Sequence, residues 1–389
     1  MNIRWGCWDV RVYAANAWVS LASKFSADRP ELIDRLEQIL SDPSAAVRLQ
    51  VAQNLQLLSD RAPDRMWEIA HRVASVESNC EIVASLLSPI LSTFNATEPS
   101  QCESLLSIVK SRLFTELDCK SGNGHWLLES IANGAADLYV DQGQPLARSW
   151  LVEWVADPIL YSDCLKSYIP NLRGALFSRY LAEANTEDLV RCDRAQDSLR
   201  LILRSLIPIA SDSYEVWVSA AEDSDKQIAK QNYIASEDAI RNVMQQLYFG
   251  SGANAHLAEP EIGLRGSSAK ALFLTHYAEE LRLLAYSREP ATLHHLIELY
   301  EFLIPGNPST VFESIHAIII GRGKEEGYHF EALAIAAVAR IAQLYIADYR
   351  EVFEDGARRA GLISILQVFS EAGWPEALML LYELPDLLR

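Results

Sequence analysis

The chain has 389 residues, half of them hydrophobic, and 34 basic against 52 acidic side chains give it a formal charge of −18. That apolar content excludes a disordered chain, and an acidic surface repels phosphate backbones, which argues against nucleic acid as the default partner. The length suits one elongated unit or about two to three compact domains.

Helical signals run through nearly the whole chain. The first is Val10-Arg11-Val12-Tyr13-Ala14-Ala15-Asn16-Ala17-Trp18, echoed by Val47-Arg48-Leu49-Gln50-Val51-Ala52-Gln53-Asn54-Leu55 at an offset of 37 residues. Between the copies, Leu32, Ile33, Leu36, Ile39 and Leu40 fall at helical spacing after Pro30. Ser41-Asp42-Pro43 then breaks the helix and opens the next, predicted over 45–58. The same grammar predicts helices over 63–75, 80–94, 99–114, 126–139, 146–155 and 161–183, the last interrupted near Pro170. These are helices of about 12 to 20 residues with short Pro, Asp and Gly connections. Phe249 to Gly263 reads as the longest loop, dividing a helical repeat region over 1–248 from a C-terminal hairpin region over 264–389. Helices follow over 267–287, 290–303, 308–320, 330–349 and 362–372, and no strand series stands out.

The apolar stripes of the first hairpins are wider than two helices can bury, so successive hairpins must stack. The run Asp42-Pro43-Ser44-Ala45-Ala46-Val47-Arg48, followed by Val51-Ala52 and Leu55, resembles the second helix of a HEAT repeat, over about residues 9–58. That resemblance implies an all-α superhelix of HEAT-like hairpins, as one array or as two parts with a break near Gly250. It also implies that Asp9 or Asp42 pairs with Arg11 or Arg48 as a structural ladder. After residue 58 the echo fades: Val83 meets Val47, but Ala84 stands where Arg48 does. The first copy is a second helix without its partner, so the chain is expected to be a piece of a longer protein or to dock its N-terminal end, with Trp5 and Trp8, on another chain; the alternative is that residues 1–8 fold over as an irregular cap. The stretches His294-His295-Leu296-Ile297-Glu298-Leu299-Tyr300 and Phe369-Ser370-Glu371-Ala372-Gly373-Trp374-Pro375 are similar to C-terminal helical regions of large bacterial ATP-binding proteins, several of them found in antiviral defence. There the array senses a trigger or recruits a partner while a separate P-loop domain hydrolyses nucleotide. The implied partner is therefore a protein, such as a P-loop ATPase or nuclease subunit. A general cytosolic adaptor is the alternative.

Signals for chemistry are weak. Gly263-Leu264-Arg265-Gly266-Ser267-Ser268-Ala269-Lys270 lacks the spacing of a phosphate loop and has no strand before it. His294, His295 and Glu298 share a helix segment, where a His and a carboxylate at spacing three or four would need at least one further ligand to hold a metal, and His125 with Glu129 is a similar lone pair. The six cysteines (Cys7, Cys80, Cys102, Cys119, Cys164 and Cys192) contain no C-x-x-C pair and read as buried free thiols of a cytoplasmic protein. Met1 to Trp5 is not a targeting peptide, and Glu331, Arg340 and Asp348 break up the most apolar stretch, so no membrane span is expected. The chain is expected to be a non-enzyme without cofactor or metal. Trp150 and Trp154 share a helix face as core or as a partner anchor, with Trp126 in the same alternative. Arg191, Arg194, Arg200 and Arg204 form a stripe interleaved with Asp188, Asp193 and Asp197; an exposed stripe is where a nucleic-acid-binding array would make contact.

Overall fold

A computed structural model describes residues 10–113, 115, 117, 124–255 and 263–387. Among them are nineteen α-helices, short 3-10 turns and one π turn, with no strand. No described helix is long and apolar enough to cross a membrane. The helices fall into two compact units, Met1–Glu153 with Asp163–Asn171, and Trp154–Ser162 with Leu172–Arg389.

The first unit holds α1 (Val10–Phe25), α2 (Glu31–Ile39), α3 (Ala45–Ala52), α4 (Pro63–Val76), α5 (Cys80–Phe94), α6 (Pro99–Arg112), α7 (Gly124–Val140), α8 (Pro145–Ala156, up to Glu153) and α9 (Ser162–Asn171). Pro63 and Pro99 occupy the first turn of their helices, where a missing N–H costs nothing. Asn79 caps α5 by accepting from the Glu81 and Ile82 amides at 2.9 and 3.3 Å. The expected helix over 45–58 is shorter: α3 stops at Ala52 and a 3-10 turn covers Leu55–Leu58. Asn54 accounts for the break, because its side-chain amide donates back to the Gln50 carbonyl at 2.9 Å and competes with the ladder.

The helices of this unit alternate between two rows. α1, α3, α5 and α7 pack side by side, and Asn171 of α9 donates to Asn133 of α7 at 2.7 Å. In the second row α4 packs on α6. Arg65 and Arg72 of α4 reach Glu37 of α2 at 2.7 and 2.9 Å, and Lys110 of α6 pairs with Glu153 of α8. Gly134 sets the tightest approach, since a Cβ there would lie 2.7 Å from Leu91 Cδ1 and 3.0 Å from Leu106 Cδ1.

The second unit holds α10 (Arg173–Leu176), α11 (Thr186–Ser219), α12 (Asp223–Ser251), α13 (Gly266–His276), α14 (Ala278–Leu284), α15 (Pro290–Leu303), α16 (Pro308–Ile318), α17 (Ala332–Asp348), α18 (Gly356–Glu371) and α19 (Pro375–Leu387). α11 and α12, of 34 and 29 residues, are far longer than the sequence reading allowed and pack along each other as a hairpin. Asn185 opens α11 with a capping box closed by Asp188. The loop expected from Phe249 begins later: Phe249–Ser251 complete α12, and Gly252 ends it in the left-handed region at φ 87°. The helix expected over 267–287 is divided at Tyr277, whose buried hydroxyl donates to the Leu176 carbonyl at 2.8 Å. Beyond α12 the packing again skips along the chain, with α15 on α17, α16 on α18 and α17 on α19.

At Gly306 a turn presses against α13. A Cβ there would lie 2.6 Å from the Ala271 amide nitrogen and 2.8 Å from the Lys270 carbonyl carbon, and neither backbone atom can rotate away. Gly306→Ala is expected to destabilise the fold by about 1–3 kcal/mol. Chemical denaturation checks this: the midpoint falls while its slope stays unchanged.

Candidate functional site

A concave feature of the first unit lies on the α5–α7–α9 row. It is a groove of about 760 Å³. One wall carries Ser85, Ser88 and Ser92 of α5; the other carries Trp126, Glu129, Asn133 and Asp137 of α7, and Asn171 of α9 stands at one end. Helical geometry explains the wall: 126, 129, 130, 133 and 137 recur at three and four residues, so they share one face. The opposite face of α7, with Leu127, Ile131, Ala135 and Leu138, is buried. Trp126 is 58% exposed, unusual for so large an apolar ring beside polar neighbours. Asp137 accepts from Asn95 Nδ2 at 3.4 Å. Among the described residues the lining carries two carboxylates, Glu129 and Asp137, and no lysine or arginine.

The anticipated anchors lie elsewhere. Trp150 and Trp154 are 5% and 1% exposed, so both are core residues and neither offers a surface to a partner. The i, i+4 spacing identified their common face and left open whether it was the buried one. Trp5, Trp8 and Asp9 lie outside the described residues.

The ladder residues are placed as follows. Arg11 Nη1 lies 3.4 Å from Asp42 in an exposed pair. Arg48, the equivalent residue 37 positions on, instead forks Glu77 at 2.7 and 3.0 Å and donates to the Asp42 carbonyl at 2.9 Å. The Glu77 carboxylate holds the Arg48 guanidinium above its ordinary value. Glu77 was invisible to the sequence reading because no repeat copy marks its position.

The arginine stripe of α11 is largely neutralised. Arg200 reaches Glu279 at 3.2 Å and the buried Glu280 at 2.9 Å, and Arg204 reaches Glu279 at 2.6 Å. Arg191 lies 3.9 Å from Asp188, and Arg194 is half-buried. With carboxylates from α14 on its lower half, the stripe offers little uncompensated charge to a phosphate backbone.

The remaining chemical candidates are engaged in packing. His294 Nδ1 lies 3.0 Å from the Tyr328 hydroxyl and Nε2 3.5 Å from Glu298, while Arg340 forks Glu301 with two contacts of 2.7 Å. His125 faces Asp163 at 3.7 Å. Lys270 sits 3.7 Å above the Phe302 ring. Among the described residues no group of three His, Cys, Asp or Glu is placed to hold a metal ion. Cys80, Cys102, Cys164 and Cys192 are buried, and burial pushes the Cys102 and Cys164 thiols up to about 12, away from the reactive thiolate. Comparison with family models, characterised proteins and solved structures finds no match to this chain.

Two predictions follow from these contacts. Arg48→Ala removes the guanidinium fork from Glu77, a buried carboxylate that keeps the Asn79 amide at 3.0 Å, and is expected to cost roughly 1.5–3 kcal/mol, whereas Arg11→Ala at the exposed pair costs less than about 1 kcal/mol. Paired denaturation curves test this, and equal losses would show that the two copies carry the same ladder. The second concerns His295, which packs against Tyr248 with ring centroids 4.9 Å apart and is held by burial below the ordinary imidazole value. The unfolded chain binds a proton there at about pH 6.5, so between about pH 7 and pH 5 unfolding gains a proton and stability falls. His295→Asn removes that contribution, and its stability declines less steeply across the same window; parallel curves would refute the assignment.

Proposed function

We propose that this chain is a non-catalytic interaction module, a HEAT-like superhelical array that holds a cationic segment of a protein partner in the α5–α7–α9 groove. The observation that carries the reading is Trp126, an exposed indole at a groove whose charged lining residues are Glu129 and Asp137. An indole offers apolar area and a π face to a lysine or arginine, and the carboxylates supply the countercharge. The groove's serines and asparagines add hydrogen-bonding positions for an extended backbone. The chain's charge of −18 favours cationic partners by long-range attraction. The non-catalytic part of the reading rests on histidines and thiols that serve packing. The setting implied by the C-terminal resemblance is a defence assembly in which a P-loop ATPase or nuclease subunit supplies that segment.

Selection of a random peptide library on the purified chain tests this directly. Sequences rich in lysine or arginine with a flanking aromatic are expected to be enriched. Trp126→Ala is expected to weaken the selected peptides by roughly 30-fold, the effect of a hot-spot anchor of about 2 kcal/mol. Glu129→Gln combined with Asp137→Asn is expected to flatten the salt dependence. Enrichment of acidic peptides, or binding indifferent to Trp126→Ala, would overturn the proposal.

A further inference from the structure

Two asparagines of the groove fix each other's orientation. Asn133 lies in the middle of α7, roughly 14 Å along the helix from its first residue. Asn171 ends α9. Both line the groove, and both belong to the first unit. Asn171 is exposed and Asn133 is half-buried.

Hydrogen-bond chemistry leaves one arrangement for the pair. The Ser167 carbonyl can only accept, so the Asn171 atom 2.8 Å from it is the amide nitrogen. That nitrogen also lies 2.7 Å from the Asn133 side chain. It donates there as well, so the Asn133 atom that faces it is the carbonyl oxygen. Both hydrogens of Asn171 Nδ2 are thereby used. The pair is left with one acceptor, Asn171 Oδ1, and one donor, Asn133 Nδ2. Neither engages another group among the described residues. Their rotamers are already fixed within the chain, so a ligand that bonds both groups orders little that was free before.

A donor and an acceptor on neighbouring side chains match the edge of an extended polypeptide. One residue of a strand turns its N–H and its C=O toward the same neighbour and exchanges both bonds with it. A helical segment cannot do this, because its N–H and C=O groups bond within the helix.

We infer that Asn133 and Asn171 read the main chain of the groove's occupant, an inference that rests on the groove being a polypeptide site as proposed above. Asn133 Nδ2 donates to the carbonyl oxygen of one partner residue, and Asn171 Oδ1 accepts from the N–H of that residue. The segment is therefore extended where it crosses α7 and α9, and this contact ignores its side chains. Glu129 and Asp137 select for charge, while the asparagine pair sets the register along the backbone.

Ester scanning tests this on the full chain, with a lysine-rich or arginine-rich peptide selected on it whose binding falls with Trp126→Ala. Each ester replaces one backbone N–H by oxygen and leaves every side chain in place. One position is expected to weaken binding about tenfold. Asn171→Ala is expected to weaken the parent peptide by a similar factor, and the ester at that position then adds no further loss. Asn171 is uncharged, so the salt dependence is expected to stay that of the unmodified chain. Circular dichroism and the melting temperature report whether the variant folds, and the scan on the unmodified chain stands without it. A scan with no sensitive position, or a sensitive ester whose loss persists in Asn171→Ala, would overturn the inference and leave the cationic groove in place. A selection in which no peptide responds to Trp126→Ala removes the groove reading, and this contact with it.

Discussion

Each hairpin of this chain carries more apolar surface than its own two helices can cover. α5 shows the constraint most clearly: Cys80, Ile82, Val83, Leu86, Leu87, Ile90, Leu91 and Phe94 are buried and cover about half of the helix circumference. Such a helix needs neighbours on several sides, and α3, α6 and α7 provide them. The two-row packing of the first unit follows, with ion pairs such as Arg65–Glu37 and Lys110–Glu153 joining one hairpin to the next across the polar margins. Where α5 does turn outward, it presents Ser88, Pro89 and Ser92 to the groove.

The parts of this architecture governed by local chemistry were legible in the sequence. Proline at a first turn and asparagine or aspartate at a cap act within a few residues, so the bounds of α4, α5 and α15 could be read almost to the residue. The repeat echo located Arg11 and Arg48 because equivalent positions recur. It could not locate Glu77, which meets Arg48 only through packing 29 residues further along the chain. The long α11–α12 hairpin was missed because nothing in its interior marks length; Pro208 lies within α11 without ending it. The groove was hardest to read. Trp126, Trp150 and Trp154 are equivalent as letters, and only the packing of α7 and α8 decides that one faces outward and two face inward.

Electrostatics gives the surface its character. An overall charge of −18 is spread over many carboxylates, and the arginines that stand out in the sequence are largely spent on them. Arg200 and Arg204 meet Glu279, Arg288 meets Glu326, and Arg340 meets Glu301. What remains for a partner in the groove is acidic and rich in hydroxyl and amide groups, with one indole among them. A surface of that kind selects by charge and by aromatic contact, which is the ground for proposing a cationic polypeptide as the partner instead of a phosphate backbone.

The central claim is that a basic polypeptide lies against α5 and α7. Amide hydrogen exchange followed by mass spectrometry, with and without a lysine-rich or arginine-rich peptide selected on the chain, measures where the peptide sits. Slower exchange concentrated in α5, α7 and α9, and lost with Trp126→Ala, is the predicted result. Protection confined to the second unit, or unchanged exchange across α5 and α7 at saturating peptide, would contradict the account.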